Sequence, residues 1–434
     1  MGEDSGSGRF ALGVVAVALL AAVFAVAFRF ALGWAIRQAS GQGDVVAAMR
    51  AAPVWARLAF PALGGLLAGV LGRLVARGKG GHSVGDVMEA VVLGRVELPM
   101  RVTLLKSLAS WLAIASGGSI GREGPLIQFG GAAGKLVADR LGLSLDSARL
   151  LIGAGTAAGF AAAYNTPFAA VLFVLEVVTG VVVLDAILPA LVATVIAVAV
   201  TRAAIGEGPI YGQRAFHLQS PWEFAAFVGL GIAAALGAQA LMRLVSAGER
   251  FFRQPWLTLP WRTALGGLLA GAVIAILPEV AGNGYEPLNA LIDGRFTLGF
   301  VALLLVGKCL ATTASVSSGS PGGVFTPTLL LGGGIGFLYA GALAALGASI
   351  GPAGGYALVG MAAAIAASTH APLMAAVMAF ELSGDYAIAL PLVLATAIAT
   401  LVSRSLRRDS IYTAELAQRG VGWELTMEGR RVVR

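Results

Sequence analysis

The sequence has little charge and almost no cysteine. Asp, Glu, Lys and Arg make up 12% of its 434 residues, whereas a soluble domain usually carries about 25%. The single cysteine, Cys309, excludes an intrachain disulfide, and no His-Glu-x-x-His zinc pattern occurs. Residues 1–8 contain no basic residue, which is not typical of a cleaved signal peptide. We therefore expect a surface suited to lipid, with no cofactor and no metal.

Long apolar runs take the place of charge. Hydrophobic residues make up 58% of the chain, and a membrane-crossing helix needs about 20 of them in succession. We predict an all-α, multi-pass integral membrane protein whose spans lie in the uncharged runs 10–28, 150–175, 224–242, 309–380 and 386–403. The run 309–380 is long enough for several passes.

The basic residues indicate topology rather than a nucleic-acid partner. The net charge is +7, but Lys and Arg are scattered between apolar segments instead of forming one basic stripe. The C-terminal end is rich in arginine, which predicts that this end lies on the cytoplasmic side of the membrane. We expect that membrane to be the inner (plasma) membrane. These arginines are Arg404, Arg407, Arg408, Arg419, Arg430, Arg431 and Arg434. The side of the N-terminus stays open.

An internal repeat divides the chain into two halves. With an offset of 202, Lys106 matches Lys308 and Pro125 matches Pro327, together with several glycines. With an offset of 205, the segment 165–167 matches 370–372, and Glu176 matches Glu381. Transporters built from such repeats hold their substrate where broken helices of the two halves meet. Whether the halves are parallel or inverted does not follow from the repeat.

The repeat sets the predicted domain boundaries. In order, they are an N-terminal segment with the first helix (1–44), a first membrane repeat (45–205), a connecting loop (206–219), a second membrane repeat (220–405), and a C-terminal helix with a short tail (406–434).

The matching segments 117–125 and 319–327 have the composition of helix starts at membrane depth. Each contains glycines and then a proline, immediately before an apolar run. A helix N-terminus offers free amide hydrogens and the positive end of the dipole, so it attracts an anion without holding it as tightly as a lysine would. The alternative is that the glycines only allow close helix packing.

Glu123 lies inside the first of these segments, where the repeat places Phe325 in the second. An acid at membrane depth is costly and by default a functional candidate. At an anion-attracting helix end, its carboxylate can occupy the anion's place until it is protonated or displaced. The alternative is an acid that is merely paired with Arg122.

Three motifs resemble those of the CLC chloride channels and chloride/proton antiporters. They are GREGP at 121–125, GGVFTP at 322–327 and SIYTAEL at 410–416, in family order over about residues 45–420. The resemblance implies an inverted repeat of tilted and partial helices in a homodimer, with one pore per subunit. Chloride, possibly protons, and membrane lipids are the implied partners. The paired cytoplasmic CBS domains of some relatives are not expected here.

The resemblance also implies roles for individual residues. Glu123 would be the external gate. The amides of Val324 and Phe325, with the Tyr412 hydroxyl, would hold a central anion. The amides around Arg122 to Gly124 would form an outer site.

Two positions depart from the family pattern. His82 stands where the family has an anion-binding serine, and Ser83 supplies that hydroxyl only if the loop shifts by one residue. A histidine can bind an anion in a pH-dependent way, or it can point aside while the loop backbone binds. At the position of the antiporters' internal proton relay stands Val177, which resembles the channel branch.

We therefore predict chloride transport through a glutamate-gated pore, either channel-like or weakly coupled to protons. The alternatives are a stoichiometric chloride/proton antiporter, or the same fold acting on nitrate, fluoride or bicarbonate. The proline of GREGP disfavours fluoride by resemblance. A remote alternative is an intramembrane serine protease that uses a serine of the segment 315–320 with His370.

Overall fold

The computed structural model describes residues 3–75, 83–93, 98–208, 210–212, 216–418, 422–426 and 429–433. Almost all of them are helical, which confirms the predicted class. The first half contains α1 (Glu3–Ser40), α2 (Val45–Ala51), α3 (Val54–Val75), α4 (Ser83–Leu93), α5 (Met100–Ala115), α6 (Glu123–Leu141), α7 (Leu145–Tyr164), α8 (Pro167–Leu172), which continues as a π-helical segment (Phe173–Thr179), and α9 (Leu184–Ile205).

The second half repeats this order of elements. It contains α10 (Glu223–Phe252), α11 (Trp261–Ile276), a 3-10 turn (Pro278–Val280), α12 (Tyr285–Ile292), α13 (Leu298–Ser317), α14 (Phe325–Ala345), α15 (Ala353–Thr369), α16 (Pro372–Ser383), α17 (Ala389–Leu406) and α18 (Ile411–Gln418).

Seven helical segments in the described part of the chain are long and apolar enough to cross a membrane. They are Ser7–Ala51, Val54–Val75, Leu184–Ile205, Glu223–Phe252, Leu298–Ser317, Phe325–Ala345 and Ala389–Ala414. Shorter apolar helices lie between them at Pro167–Thr179, Trp261–Ile276, Ala353–Thr369 and Pro372–Ser383. The protein is therefore a multi-pass membrane protein with full and partial spans.

The predicted single span over 150–175 is wrong. The helix α7 ends at Tyr164 because Asn165 adopts a left-handed conformation with φ 58°, and α8 begins anew at Pro167. A proline suits the first turn of a new helix but not the interior of an old one. The second half is interrupted in the same way at His370, with φ 60°, and Pro372.

The helices α3 and α11 show how the halves are oriented. They occupy equivalent places in the repeat and cross so closely that a Cβ on Gly65 would lie 2.2 Å from the Thr263 carbonyl oxygen. A Cβ on Gly267 would lie 2.0 Å from the Pro61 carbonyl oxygen. The earlier residue of α3, Pro61, contacts the later residue of α11, Gly267, and the later residue Gly65 contacts the earlier residue Thr263. These equivalent helices are therefore antiparallel. The repeat is inverted.

Glu176 and Glu381 connect the halves reciprocally. The Glu176 carboxylate accepts hydrogen bonds from the amides of Leu373 and Met374 in the first turn of α16, at 3.3 and 2.7 Å. The Glu381 carboxylate accepts from the amides of Phe168 and Ala169 in the first turn of α8, at 3.0 and 2.8 Å. Each acid therefore stabilises the start of a partial helix in the opposite half.

The C-terminal tail adds an element that the sequence did not predict. Beyond α18, a strand β1 (Gly422–Thr426) pairs antiparallel with β2 (Gly429–Val433). The all-α description thus holds for the membrane region, whereas the tail forms a short hairpin.

Candidate functional site

The site lies where two broken helices begin. The loops that precede α6 and α14 meet in an isolated antiparallel bridge between Gly121 and Gly323. The Gly121 amide donates to the Gly323 carbonyl at 2.8 Å, and the Gly323 amide donates to the Gly121 carbonyl at 3.0 Å. These backbone bonds bring the N-termini of both helices to one point in the protein interior.

The Glu123 carboxylate lies on the N-terminus of α14. Its Oε1 accepts hydrogen bonds from the amides of Phe325 at 3.1 Å and Thr326 at 3.3 Å. Its Oε2 accepts from the Thr326 hydroxyl at 3.0 Å. Glu123 is 2% exposed. A buried carboxylate therefore occupies the position at which free amides and the helix dipole attract negative charge.

Two glycines leave the space that the carboxylate fills. A Cβ on Gly121 would lie 2.1 Å from both carboxylate oxygens of Glu123, and a Cβ on Gly323 would lie 2.1 Å from Oε1. These separations are far below van der Waals contact. Any side chain at either position would compete with the carboxylate, or with an anion in its place.

Two neighbouring residues, Arg122 and Glu123, line two separate cavities. A cavity of about 160 Å³ is lined by Glu123, Gly124, Val324 and Tyr412, together with residues of α10. A second cavity of about 1000 Å³ is lined by Arg122, whose guanidinium lies 5.1 Å from the centre of the Tyr285 ring. Consecutive residues, Arg122 and Glu123, thus face different cavities.

The structure brings most of the predicted site residues together. Glu123, Gly124, Val324 and Tyr412 share one cavity, and the Phe325 amide contacts the Glu123 carboxylate. Beside Phe325, the Thr326 amide also donates to the Glu123 carboxylate. The predicted contacts of the Val324 amide and the Tyr412 hydroxyl with a central anion stay predictions. Arg122 is not paired with Glu123 among the described residues, since no ion pair within 4.0 Å joins them.

The predicted anion-binding loop with His82 and Ser83 lies largely outside the described residues. His82 and the side chain of Ser83 are not among them, whereas the backbone of Ser83 begins α4. Its neighbour Val84 lines the same cavity as Glu123. The predicted anion contacts of His82 and Ser83 stay predictions.

Val177 lies in the π-helical segment after α8 and is 1% exposed. It offers no group that can carry a proton. The neighbouring acid, Glu176, is engaged with the first turn of α16. The side chain at position 177 is thus apolar and deeply buried, and the acid beside it caps α16.

Thr326 and Tyr164 were missed by the sequence analysis. The Thr326 hydroxyl connects the Glu123 carboxylate to the Tyr164 hydroxyl, which lies 3.0 Å away. Both residues are buried. The signal for Thr326 was a hydroxyl in the first turn of a predicted anion-binding helix. Nothing in the sequence indicated Tyr164.

Two serines of the segment proposed for the protease alternative donate hydrogen bonds to backbone carbonyls. Ser317 donates to the Val245 carbonyl at 2.9 Å, and Ser318 donates to the Ser315 carbonyl at 2.8 Å. The His370 ring lies 3.3 Å from Ser403, which is outside the segment 315–320. This geometry contains no serine–histidine pair of the predicted kind among the described residues.

Comparison with known proteins gives consistent matches. The sequence model of the family described as "Voltage gated chloride channel" matches residues 64–404. A putative ClcB-like chloride channel protein of Ralstonia nicotianae is 39% identical over 386 residues, covering 88% of this chain and 90% of that protein. The voltage-gated ClC-type chloride channel ClcB of Escherichia coli K12 is 37% identical over 416 residues, covering 93% and 97%.

Solved structures share the fold at lower sequence identity. A slow cyanobacterial Cl⁻/H⁺ antiporter superposes with a TM-score of 0.82 at 22% identity, covering 95% of this chain and 98% of the other. A CLC-type fluoride/proton antiporter superposes with a TM-score of 0.77 at 22% identity, covering 94% and 97%.

Proposed function

The chain belongs to the CLC family of chloride channels and transporters, and on this premise we propose that it moves chloride across the membrane through a pore that Glu123 closes. The family and the fold are those of transporters, not of enzymes. We further propose that transport is channel-like or only weakly coupled to protons. The observation that carries the proposal is the contact between the Glu123 carboxylate and the first amides of α14.

The gate works by competition between two negative charges for one position. In the closed state, the carboxylate accepts hydrogen bonds from the amides of Phe325 and Thr326, and it fills the space beside Gly121 and Gly323. Protonation removes the charge that the helix dipole favours, so the side chain leaves and a chloride ion takes its place. Because the partial charges of the helix start hold the ion, and no lysine or arginine of the described residues forms an ion pair with the Glu123 carboxylate, release stays fast.

Arg122 and Tyr412 would act on either side of this position. Arg122 faces the larger cavity and attracts chloride towards it. Tyr412 lines the smaller cavity beside Glu123, where its hydroxyl would donate to the central anion together with the amides of α14. Glu123 would then lie between the larger and the smaller cavity.

The relay position supports weak coupling. An antiporter of this family passes protons to its gate from an internal acid, and Val177 cannot do so. Glu176 does not replace that acid, because its carboxylate accepts two amide hydrogen bonds from α16. Any proton that reaches Glu123 therefore arrives without this relay.

Membrane location and assembly follow the family. We propose an inner-membrane homodimer with one pore per subunit and the arginine-rich C-terminal end in the cytoplasm. Large apolar side chains are exposed on the outer faces of α8, α9, α16 and α17, where a second subunit or lipid would cover them. Examples are Phe168, Leu184, Leu188, Leu373 and Leu390.

The test is transport by the purified protein in liposomes, with chloride efflux and proton uptake recorded together. We expect chloride efflux without proton movement against a proton gradient. Proton pumping in fixed proportion to chloride would replace our proposal by the antiporter. Substituting nitrate or fluoride for chloride in the same vesicles tests selectivity, and faster flux of either ion would overturn the choice of chloride.

A further inference from the structure

Four arginines surround a cavity beside the smaller of the two pore cavities. The cavity measures about 400 Å³ and is lined by Arg243, Ser246, Glu249, Arg250, Arg253 and Arg407. Arg243, Ser246, Glu249 and Arg250 lie on one face of α10, because residues three or four apart are neighbours on a helix, and Arg253 is the residue that follows α10. Arg407 comes from the end of α17, so two elements of the second half form the cavity.

Among the described residues, three of the four arginines have no carboxylate beside them. Four guanidinium groups and one carboxylate leave a net charge of +3 around the cavity. Glu249 contacts Arg253 at 3.5 Å. Arg243, Arg250 and Arg407 have no carboxylate within 4.0 Å among the described residues. Such a cluster is costly to assemble, and a single chloride ion cannot balance it.

The arginine cavity adjoins the cavity that contains Glu123, which on the proposed function is part of the chloride path. Ser246, Glu249, Arg253 and Arg407 also line the cavity that contains Glu123 and Tyr412. An occupant that bridges the arginines would therefore stand in front of the position from which chloride enters or leaves. Arg243 and Arg250 line the arginine cavity and do not line the Glu123 cavity.

We propose that the four arginines bind an anion carrying at least two phosphate groups, and that this anion obstructs chloride flux at the arginine-bearing mouth. Guanidinium groups bind phosphate oxygens in pairs, and a diphosphate matches both the charge and the number of donors. The same chemistry is offered by a soluble polyphosphate and by the headgroups of anionic lipids. Flux serves as one readout and thus rests on the proposed function, so binding is measured separately.

The first experiment is calorimetric titration of inorganic pyrophosphate into the purified full-length protein in a zwitterionic detergent. We expect saturable binding, and roughly tenfold weaker binding in Arg250→Gln, because one charge-assisted contact is lost. Arg408→Gln is the matched control, since Arg408 is an exposed arginine at the same end of the chain that lines neither cavity. It should bind as the unmodified protein does.

The second experiment separates the two sources of phosphate. In phosphatidylcholine vesicles, pyrophosphate on both sides should slow chloride efflux in the unmodified protein and have roughly tenfold lower potency in Arg243→Gln/Arg250→Gln. If lipid is the source, vesicles that contain phosphatidylglycerol should slow efflux, and the double variant should restore it. Either pattern supports the site.

The proposal is overturned if pyrophosphate binds no more weakly to Arg250→Gln and the double variant than to Arg408→Gln, and phosphatidylglycerol slows all of these proteins equally. A failure of chloride flux in every protein, with intact pyrophosphate binding, would contradict the proposed function and leave the binding site standing.

Discussion

The Thr326 hydroxyl donates a hydrogen bond to the Glu123 carboxylate at 3.0 Å, and it does so from the second residue of α14. Glu123 is therefore held by a side chain as well as by the amides of the helix start. The two residues are 203 positions apart in sequence, so an acid of the first half is bound by the second half.

Glu123→Gln should raise chloride efflux at neutral pH several-fold and remove most of its dependence on pH. The sign follows from competition, because in the unmodified protein protonation removes the negative charge from the anion position and flux rises as the pH falls. A glutamine carries no charge at any pH. The measurement is chloride efflux from liposomes between pH 4 and 8, a range that spans ordinary carboxylate titration.

Glu249→Gln is the control for this prediction. Glu249 lines the same cavity, but no hydrogen bond joins it to the amides of α14 among the described residues. It should keep the pH profile of the unmodified protein. If Glu123→Gln also keeps that profile, Glu123 is not the gate.

Thr326→Val should loosen the gate. Valine has nearly the shape of threonine but cannot donate to the carboxylate, and a lost hydrogen bond to a charged group is worth about 1.5–3 kcal/mol. We expect efflux to increase roughly 10- to 150-fold at a pH where the gate is mostly closed.

Thr328→Val is the matched control, because the Thr328 hydroxyl donates to the Val324 carbonyl within α14 and does not contact Glu123. Equal efflux in the two threonine variants would show that the Thr326 hydroxyl does not hold the gate.

Gly323→Ala should block the pathway even when the gate is absent. The added methyl group would lie 2.1 Å from the place of the carboxylate oxygen, where an anion would also bind. We expect a loss of flux of about tenfold or more, corresponding to at least 1.4 kcal/mol, in both the unmodified and the Glu123→Ala backgrounds.

Gly153→Ala is the comparison for the glycine variant. Gly153 is a buried glycine of α7, and its added methyl group would lie 3.5 Å from the Val174 side chain, which is an ordinary van der Waals contact. Size-exclusion profiles establish that both variants fold. Full flux in the Gly323→Ala/Glu123→Ala protein would mean that the anion binds elsewhere.

Glu176→Gln and Glu381→Gln should destabilise the protein to similar extents. Each change weakens one cap on a partial helix, at a cost of about 0.5–2 kcal/mol. The measurement is the thermal midpoint in detergent. Glu207→Gln, at an exposed position between the halves, should leave the midpoint unchanged.

An increase in efflux with altered proton uptake in Glu176→Gln, but not in Glu381→Gln, would contradict the purely structural role of the first acid. It would assign Glu176 to proton movement.

The repeat was the part of the fold that sequence predicted best. Lysine and proline in register are rare coincidences in an apolar chain, so the two halves were visible without a structure. Their opposite orientation needed coordinates, because a constant offset says nothing about direction. The antiparallel crossing of α3 and α11 supplies that direction.

Apolar runs predicted the presence of spans better than their ends. The run 150–175 contains no charge, yet it is two helices, since Asn165 takes a left-handed conformation and Pro167 begins a new first turn. Hydropathy is blind to both effects. The Asn-Thr-Pro sequence carried the signal, and its repeat mate at 370–372 carried it again.

Motifs indicated some residues of the candidate site, whereas other residues are recognised only from their contacts in the folded protein. Glu123 and Phe325 stand out in the sequence as an acid and its apolar counterpart. Thr326 and Tyr164 look like ordinary residues of apolar helices, and their contact depends on a turn of the chain between the halves.

The bridge between Gly121 and Gly323 lies between equivalent positions of an inverted repeat. A scaffold of this kind looks the same from both faces of the membrane, and by itself it gives permeation no preferred sense. Two residues after each bridge position, the two copies differ, because Glu123 stands in the first copy and Phe325 in the second. On the proposed function, the two sides of the pathway therefore differ because the copies differ at this point, with Arg122 and Glu123 in the first and Val324 and Phe325 in the second.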